Sequence, residues 1–529
     1  MSTAPDLDLL RQQFERELDV ATTSLERGRG EEAAVLVQMA AARAWYRHPG
    51  CFYSARAEAL LAEIARGLSP PPRRADGAGS RDAVLHVLTQ AYPVGGHTRV
   101  VTRWIQADPG RRHIVALTQQ AAEPVPEAVR NSSAELHVLD RKDAGLFKIV
   151  ARLQSLIEQA DAVILHQHPF DVVPILALAA IAERPAVGLF NHADHVFWLG
   201  SSVTDLLIGF RDSGSRLAVA RRGFTPDRVA RLPLPLPEAK PLPDGQRAEA
   251  RARLGLSDRD EALLSVASGY KFSPLPGSDF CALHWPLLEQ RQGLRLLVVG
   301  PSPEAPYWAE WNRRSGGRIR ALGIHPDLAP FFAASDVYVD SAPFGSLTSL
   351  LEAAVMGLPV LSWRSREMAD AAEVLVSDDP ALDPDLVCLT DPDAYRAVLA
   401  ALLDAPEDRR RQGQEMAAAV RRVHTGAAWV AALGQLHSRL EQAAATRPAS
   451  IRPPEAPSSL DTMLVQFQSQ LATFKGEHLS HFHRYRRVST LLAYIGLATP
   501  PATVPHRPMS RRLLLSNAVR EVVDAMTPP

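Results

Sequence analysis

A chain of 529 residues exceeds what a single hydrophobic core serves, so two large domains with smaller additions are expected. Its 58 lysines and arginines against 59 acidic residues leave a formal charge of -1, which supplies no field toward nucleic acid or an anionic membrane. Cys51, Cys281 and Cys388 are far apart and lack CxxC spacing, against a disulfide framework or structural zinc and in keeping with a reducing cytoplasm. The first residues carry acids where a signal peptide needs an unbroken apolar stretch, and no run of about 18 apolar residues occurs, so a soluble, cytoplasmic protein without a transmembrane segment is expected.

Leu7, Leu10, Phe14, Leu18, Ala21 and Leu25 recur at steps of three and four, the spacing of one helix face, until Gly28 and Gly30 stop it. A second helix runs from Glu31 to the His48-Pro49-Gly50 stop, and a third from Ser54 to Gly67, before Ser69 and the prolines 70 to 72. Residues 1–70 thus read as a helical domain, with no copy at the period of about 34 that a helical solenoid needs. Its apolar stripe suits either a partner protein or packing on the next domain. From Arg81 short β-branched runs alternate with helical stretches (AVLHVL, RHIVALT, AELHVLD, DAVILHQ, AVGLFN, RLAVA), the pattern of a parallel sheet with crossover helices. This predicts a first Rossmann-like domain, the acceptor domain, over 81–235. The proline-alternating stretch from Leu232 can neither continue a helix nor donate to a sheet and reads as a linker. The pattern restarts with ALLSVAS, LRLLVVG, IRALG, VYVDS and LPVLSW, giving a second Rossmann-like domain over 246–443, the donor domain. The fold class is therefore α/β, two doubly wound domains facing a cleft. A proline-rich stretch then leads to a helical extension, 456–529, in which Leu460, Leu464, Phe467, Leu471 and Phe474 keep helical spacing and require cover from water; His478, His481 and His483 read as a solvated face.

The segment richest in chemistry is 318–362. A strand, VYVD, enters a turn at Pro343-Phe344-Gly345, and Ser346, Thr348 and Ser349 stand where a helix begins. Free amides and the dipole at a helix N-terminus bind phosphate, and hydroxyls add donors. Glu352, one turn on, can accept from ribose hydroxyls. On local features a simple helix cap and a solvent-facing glutamate explain these residues equally well.

The whole segment is similar to the donor-binding half of GT-B glycosyltransferases: an R-x-x-x-L-G strand end, the PDLAPFFAASD helix, a Ser/Thr-rich turn with an acidic residue, and an A-x-x-x-G-x-P-V helix and strand. Gly345 to Glu352 most resembles the protein O-GlcNAc transferases and related bacterial cytoplasmic protein glycosyltransferases, which carry a glycine, a Thr-Thr pair and an acid at these offsets. The resemblance implies that Thr348 and Ser349 meet a diphosphate and Glu352 the ribose. Gly269-Tyr270-Lys271, after ALLSVAS, stands where that group has a Tyr-Lys whose lysine meets the diphosphate, the charge that other glycosyltransferase folds draw from a divalent metal; no DxD motif stands in a suitable place. His325 stands in a loop that in family members contacts the base. The large retaining family has a second, earlier glutamate; counting back that spacing from Glu352 reaches Phe344, which favours an inverting mechanism.

In the first domain Gly95 and Gly96 precede the VVTRWIQ helix, in a loop that the resemblance brings to the donor phosphates and that is equally an ordinary tight turn. The cluster Phe190 to Trp198 follows a strand and puts imidazoles and a carboxylate at the crevice; His192 is the first candidate for general base and Asp194 the next. His166 and His168 either assist or simply end a strand, and zinc is disfavoured for want of ligand spacing. The resulting expectation is a metal-independent, inverting transferase of a hexosyl or N-acetylhexosaminyl group from a UDP-sugar, bacterial, with no cofactor beyond the donor and a protein or glycan acceptor. Two alternatives remain: a retaining enzyme acting on a saccharide or lipid-linked glycan, and a catalytically inactive sugar-nucleotide-binding scaffold.

Overall fold

The structure is a computed structural model; it describes residues 6–69, 82–93, 96–120, 123–132, 134–140, 145–238, 245–275, 277–366, 377–382, 388–447 and 457–470. Gly95 and the residues from 471 on, with Leu471, Phe474 and the three tail histidines, lie outside them.

Helices Leu7–Glu26, Gly30–Tyr46 and Ala55–Arg66 form the N-terminal layer, the first and third capped by Asp6 and Ser54, whose side chains accept from the amides of Asp8 and Ala57. Phe14, Leu18, Leu36 and Leu61 share one core with Leu85, Leu153, Leu176 and Phe197 of the following domain. The apolar stripe is therefore consumed by packing on the first domain. A polar tie adds to it: the buried Glu58 carboxylate accepts from the amides of Gly200, Ser201 and Ser202 at 2.6, 3.2 and 3.3 Å.

The first sheet holds seven parallel strands: β1 (Ala83–Leu88), β2 (Arg112–Leu117), β3 (Glu135–Val138), β4 (Ala162–His166), β5 (Ala186–Phe190), β6 (Leu206–Gly209) and β7 (Val229–Arg231), in the order β3-β2-β1-β4-β5-β6-β7. The second holds β8 (Glu261–Val266), β9 (Leu294–Val299), β10 (Ile319–Ala321), β11 (Val337–Val339), β12 (Val360–Trp363) and β13 (Cys388–Leu389), in the order β10-β9-β8-β11-β12-β13. Helices cover both faces, so strands such as AVLHVL and AVILH are buried along their whole length. Strand order reverses between β1 and β4 and between β8 and β11, and at such switch points the strand ends leave a crevice for ligands. Two Rossmann-like domains facing a cleft, with helical additions at both ends, is the GT-B arrangement expected from the sequence.

The proline strap is not a free linker. Leu232, Leu234 and Leu236 alternate inward and are buried, while the Pro233 carbonyl accepts from Trp429 Nε1 at 2.7 Å and the Leu234 carbonyl from His424 Nδ1 at 2.8 Å. The Gly426–Ala445 helix, placed with the second domain by its position in the sequence, packs on β5, β6 and β7 of the first. Its stripe of Trp429, Leu433, Leu436 and Leu440 meets the strap leucines. Among the described residues no helix is long and apolar enough to cross a membrane, and the three cysteines are unpaired.

Candidate active site in the interdomain cleft

The loop after β11 is built around Asp340. This carboxylate is buried; its Oδ1 accepts from the amides of Ser341 and Ser346 at 2.9 and 2.8 Å, and Oδ2 lies 3.3 Å from Ser362 Oγ. Burial lifts its pKa above the usual range, against hydrogen bonds from Ser377 and the Ser346 amide and the Lys271 charge. Gly345 is required here, since a Cβ would stand 2.9 Å from Asp340 Oδ2. The turn delivers the chain into the Leu347–Val355 helix, with Ser346 at its N-cap and Ser346 Oγ 3.4 Å from Ser349 Oγ. The cap serine accepts no bond from a first-turn amide, and those amides have no intrahelical acceptors; the Thr348 hydroxyl stands toward Gly96 of the first domain.

Lys271 reaches the same turn from the short helical turn Gly269–Phe272 that follows β8. Its Nζ donates to the Gly345 carbonyl at 2.9 Å and lies 5.0 Å from the centre of the Phe344 ring. Among the described residues no carboxylate is within ion-pair distance of it, and Asp340 and Asp194 act on it only through space. Burial pushes its pKa down to about 8, with Asp340 opposing and Arg211 adding to the shift. A cation enclosed without a counter-ion, beside a helix N-terminus, is an arrangement that an anion completes. The neighbouring Tyr270 ring is exposed and meets the Phe344 ring edge-on at 6.1 Å.

The first domain closes over this loop. A Cβ on Gly96 would lie 3.1 Å from Thr348 Oγ1, so the glycine permits the two domains to approach closely at this point. From the Gly96–Ala107 helix, Arg99 Nη1 donates to Glu352 Oε1 and Oε2 at 2.8 and 3.1 Å, and Arg103 Nη2 to Oε1 at 3.3 Å. Arg103 Nη1 also donates to the Pro235 carbonyl at 2.8 Å. Glu352 is thus the centre of an interdomain clamp that neither the glutamate's offset nor the arginines' helical spacing announces. Three bonds on a carboxylate with about four acceptor positions leave little room for a further donor unless Arg99 yields. His325 stays in the loop after β10, its Nε2 donating to the Leu322 carbonyl at 2.9 Å and its ring against Phe331.

Histidines line the opposite wall. His192 Nδ1 is 3.2 Å from the Phe190 carbonyl, which can only accept, so Nδ1 carries the proton and Nε2 presents a lone pair. Its enclosure, with His168 second, lowers the pKa to about 4, so the ring is neutral at pH 7. His97, from the glycine loop, packs on it with centroids 4.4 Å apart and donates from Nε2 to the His166 carbonyl at 2.6 Å. His166 is fully buried and bonds His86 at 3.1 Å, while His168 stacks on Tyr92, so neither presents itself as the first group to meet a substrate. Asp194 is held differently from a base: both oxygens accept from Arg211, at 2.5 and 2.6 Å, and that charge holds its carboxyl far below the usual range. It instead orients His195, whose Nδ1 is 3.4 Å from Asp194 Oδ1 and whose ring meets Phe344 edge-on at 4.6 Å. Among the described residues no three His, Cys, Asp or Glu side chains are grouped to hold an ion. Asp340, His97, His195, Arg99 and Arg103 are site residues that the sequence reading gave no role; His97 and Arg99 stood beside the paired glycines, His195 inside the Phe190 to Trp198 cluster and Asp340 at the end of the VYVD strand, whereas Arg103 stood in no motif.

Residues 263–405 match the family model described as glycosyl transferases group 1. The match lies within the second Rossmann-like domain, which carries Lys271 and the Ser346–Ser349 turn. No curated protein matches the sequence. Among solved structures, a glycosyltransferase from Rickettsia africae is similar over 68% of this chain and 98% of its own, with a TM-score of 0.52 at 10% identity. Anabaena HepE in complex with UDP-glucose is similar over 68% of this chain and 100% of its own, with a TM-score of 0.51 at 13% identity. A mutant O-GlcNAc transferase from Thermobaculum terrenum aligns over 83% of both chains, with a TM-score of 0.47 at 18% identity.

Proposed function

We propose that the protein transfers a hexosyl or N-acetylhexosaminyl group from a UDP-sugar to an acceptor hydroxyl or amide, on a polypeptide, by an inverting route that needs no metal. The observation that carries this reading is Lys271: a part-buried ammonium with no carboxylate within ion-pair distance among the described residues, 2.9 Å from the Gly345 carbonyl at the mouth of a helix N-terminus. A diphosphate supplies the missing negative charge, the first-turn amides and the hydroxyls of Thr348 and Ser349 supply donors, and charge developing on the leaving group is met by groups already in place. The family match of the donor half and the UDP-glucose bound by HepE support the nucleotide class.

In this mechanism His192 Nε2 takes the proton of the acceptor as its oxygen or nitrogen attacks the anomeric carbon, and the bond from that carbon to the diphosphate breaks, its electron pair leaving on UDP. Lys271 stabilises that departing charge. Glu352 exchanges part of its bonding with Arg99 for the ribose hydroxyls, so donor binding and the interdomain clamp are coupled. The loop of Gly95 and Gly96 approaches the phosphates from the facing domain, and Tyr270 and the His325 loop flank the nucleotide. At position 344 a phenylalanine offers no carboxylate to the sugar, which supports inversion over retention. The unpaired cysteines are compatible with a cytoplasmic setting.

Incubation with UDP-, GDP- and TDP-sugars in EDTA, with release of the nucleoside diphosphate measured and the anomeric configuration of the released or transferred sugar read by NMR, tests the reading. Release from UDP-sugars with inverted configuration is expected; retained configuration, or release only when a divalent ion is added, would overturn the corresponding part.

A further inference from the structure

The Ser459–Gln470 helix touches the N-terminal layer and both domains. Asp461 anchors it: fully buried, its Oδ1 is 2.7 Å from His48 Nε2, and its two oxygens accept from Arg221 Nη2 at 2.9 and 3.0 Å. Gln468 accepts from the His48 amide at 2.5 Å and donates to the Trp45 carbonyl at 3.0 Å, and Leu460 and Leu464 pack on Phe52. From this footing on the first domain, Phe467 crosses to the second and stacks on Phe344, centroids 5.8 Å apart and planes inclined by 27°. With Leu275 the two rings form a small apolar cluster separate from the domain cores. Both rings are almost wholly buried, at 3% and 4% exposure.

Phe344 is the ring against which the Lys271 ammonium and the His195 imidazole both lie. A phenyl ring held on one side by Phe467 has its other contacts fixed, and it covers one side of the part-buried ammonium. An electrostatic contact between Lys271 and a phosphate gains from that cover, because the interaction scales inversely with the local dielectric. We propose that Phe467, carried by the C-terminal helix, is a positioning residue for the donor site: by pinning the Phe344 ring it fixes the Lys271 ammonium where the diphosphate is received. The inference rests on the reading of Lys271 as the diphosphate contact.

A readout independent of turnover is the pH dependence of Lys271 acylation by an amine-directed reagent in the full chain, quantified by peptide mass spectrometry. The charged and titratable groups facing Lys271 are Asp340, Arg211, Asp194 and His195. Wild-type labelling should reach half its maximum near pH 8. In Phe467→Ala the midpoint should rise by about one pH unit or more toward that of an ordinary lysine as water reaches the ammonium. The exposed Lys148 serves as internal control. UDP affinity, measured by calorimetry, should fall about tenfold in the same variant. Phe467→Leu, which keeps apolar volume without the flat ring, should shift both quantities less in the same direction, and it carries the test should the alanine variant fail to fold. An unmoved Lys271 midpoint and unmoved UDP affinity in a folded variant would overturn the proposal. A shifted midpoint in a protein that binds no nucleoside diphosphate would instead leave the positioning intact and remove the donor reading on which its purpose rests.

Discussion

Replacing Lys271 with methionine keeps the length of the side chain and deletes its charge. The ammonium donates to the Gly345 carbonyl and otherwise faces Phe344, so the substitution orphans no carboxylate within ion-pair distance among the described residues. A unit charge about 4 Å from a developing phosphate charge is worth about 4 kcal/mol at an effective dielectric of about 20. Deleting one preorganised stabilising group in comparable sites costs about 2.7–4 kcal/mol. The expected result is a drop in kcat of about 10²- to 10³-fold with a UDP-sugar, measured as initial rates of UDP release. Stability should move the other way. The folded-state pKa of about 8 lies below the unfolded lysine value of about 10.4. The native state therefore binds fewer protons between those pH values, so the contribution of Lys271 to stability rises with pH across that window, and below it the enclosed charge is a cost. At pH 7 the methionine variant should consequently melt at or above the wild-type temperature, and wild-type kcat/KM should fall as pH rises through about 8. Turnover within about threefold of wild type would refute the reasoning, less than the smallest loss such a deletion gives; so would a loss of turnover matched by a loss of melting temperature.

His192→Ala should lower kcat by about 10²- to 10⁴-fold with little change in UDP affinity; equal loss of UDP binding would make it a donor-site residue. With His192 as base and its pKa near 4, kcat/KM should decline only as pH falls toward that value, and an acid limb near neutrality would point to another group. Asp194→Asn removes the carboxylate charge that both Arg211 bonds reach and should cost about 3–5 kcal/mol in denaturant unfolding. Because the folded pKa of Asp194 is depressed, the stability it contributes is present above the unfolded value of about 3.9 and is lost as pH falls below it. Glu352→Gln keeps the shape but weakens charge-assisted bonds of about 1.5–3 kcal/mol each, so UDP should bind more weakly by calorimetry; unchanged affinity would detach Glu352 from the ribose.

Both sheets were legible because each strand is a short apolar run bounded by turn residues, and runs buried on both faces do not depend on partners far along the chain. The helix N-terminus at Ser346 was legible for the same local reason. What periodicity does not carry is the direction an apolar stripe faces. The Gly426–Ala445 stripe reads the same whether it covers β12 or, as found, β5 to β7. The N-terminal stripe likewise gave no sign that Glu58 would cap the turn at Ser201. Contacts across the cleft were the least visible. Arg99 and Glu352 are 253 positions apart, and their meeting depends on how two separately folded sheets close. Asp194 was the reverse case: it follows β5 as its place in the sequence implies, but the arginine that fixes its charge comes from the following strand end, outside the motif. Gly95 falls outside the described residues, and the close approach to Thr348 is described at Gly96.

The central claim is that Lys271 and the Ser346–Ser349 turn receive a uridine diphosphate without a metal. Titration calorimetry of UDP into the full chain in EDTA, repeated with Lys271→Met, tests it most directly. Saturable binding in EDTA, weakened at least tenfold by the substitution, is the predicted outcome, about 1.4 kcal/mol or more. Binding that appears only with a divalent ion, or that is indifferent to the loss of Lys271, would contradict the account.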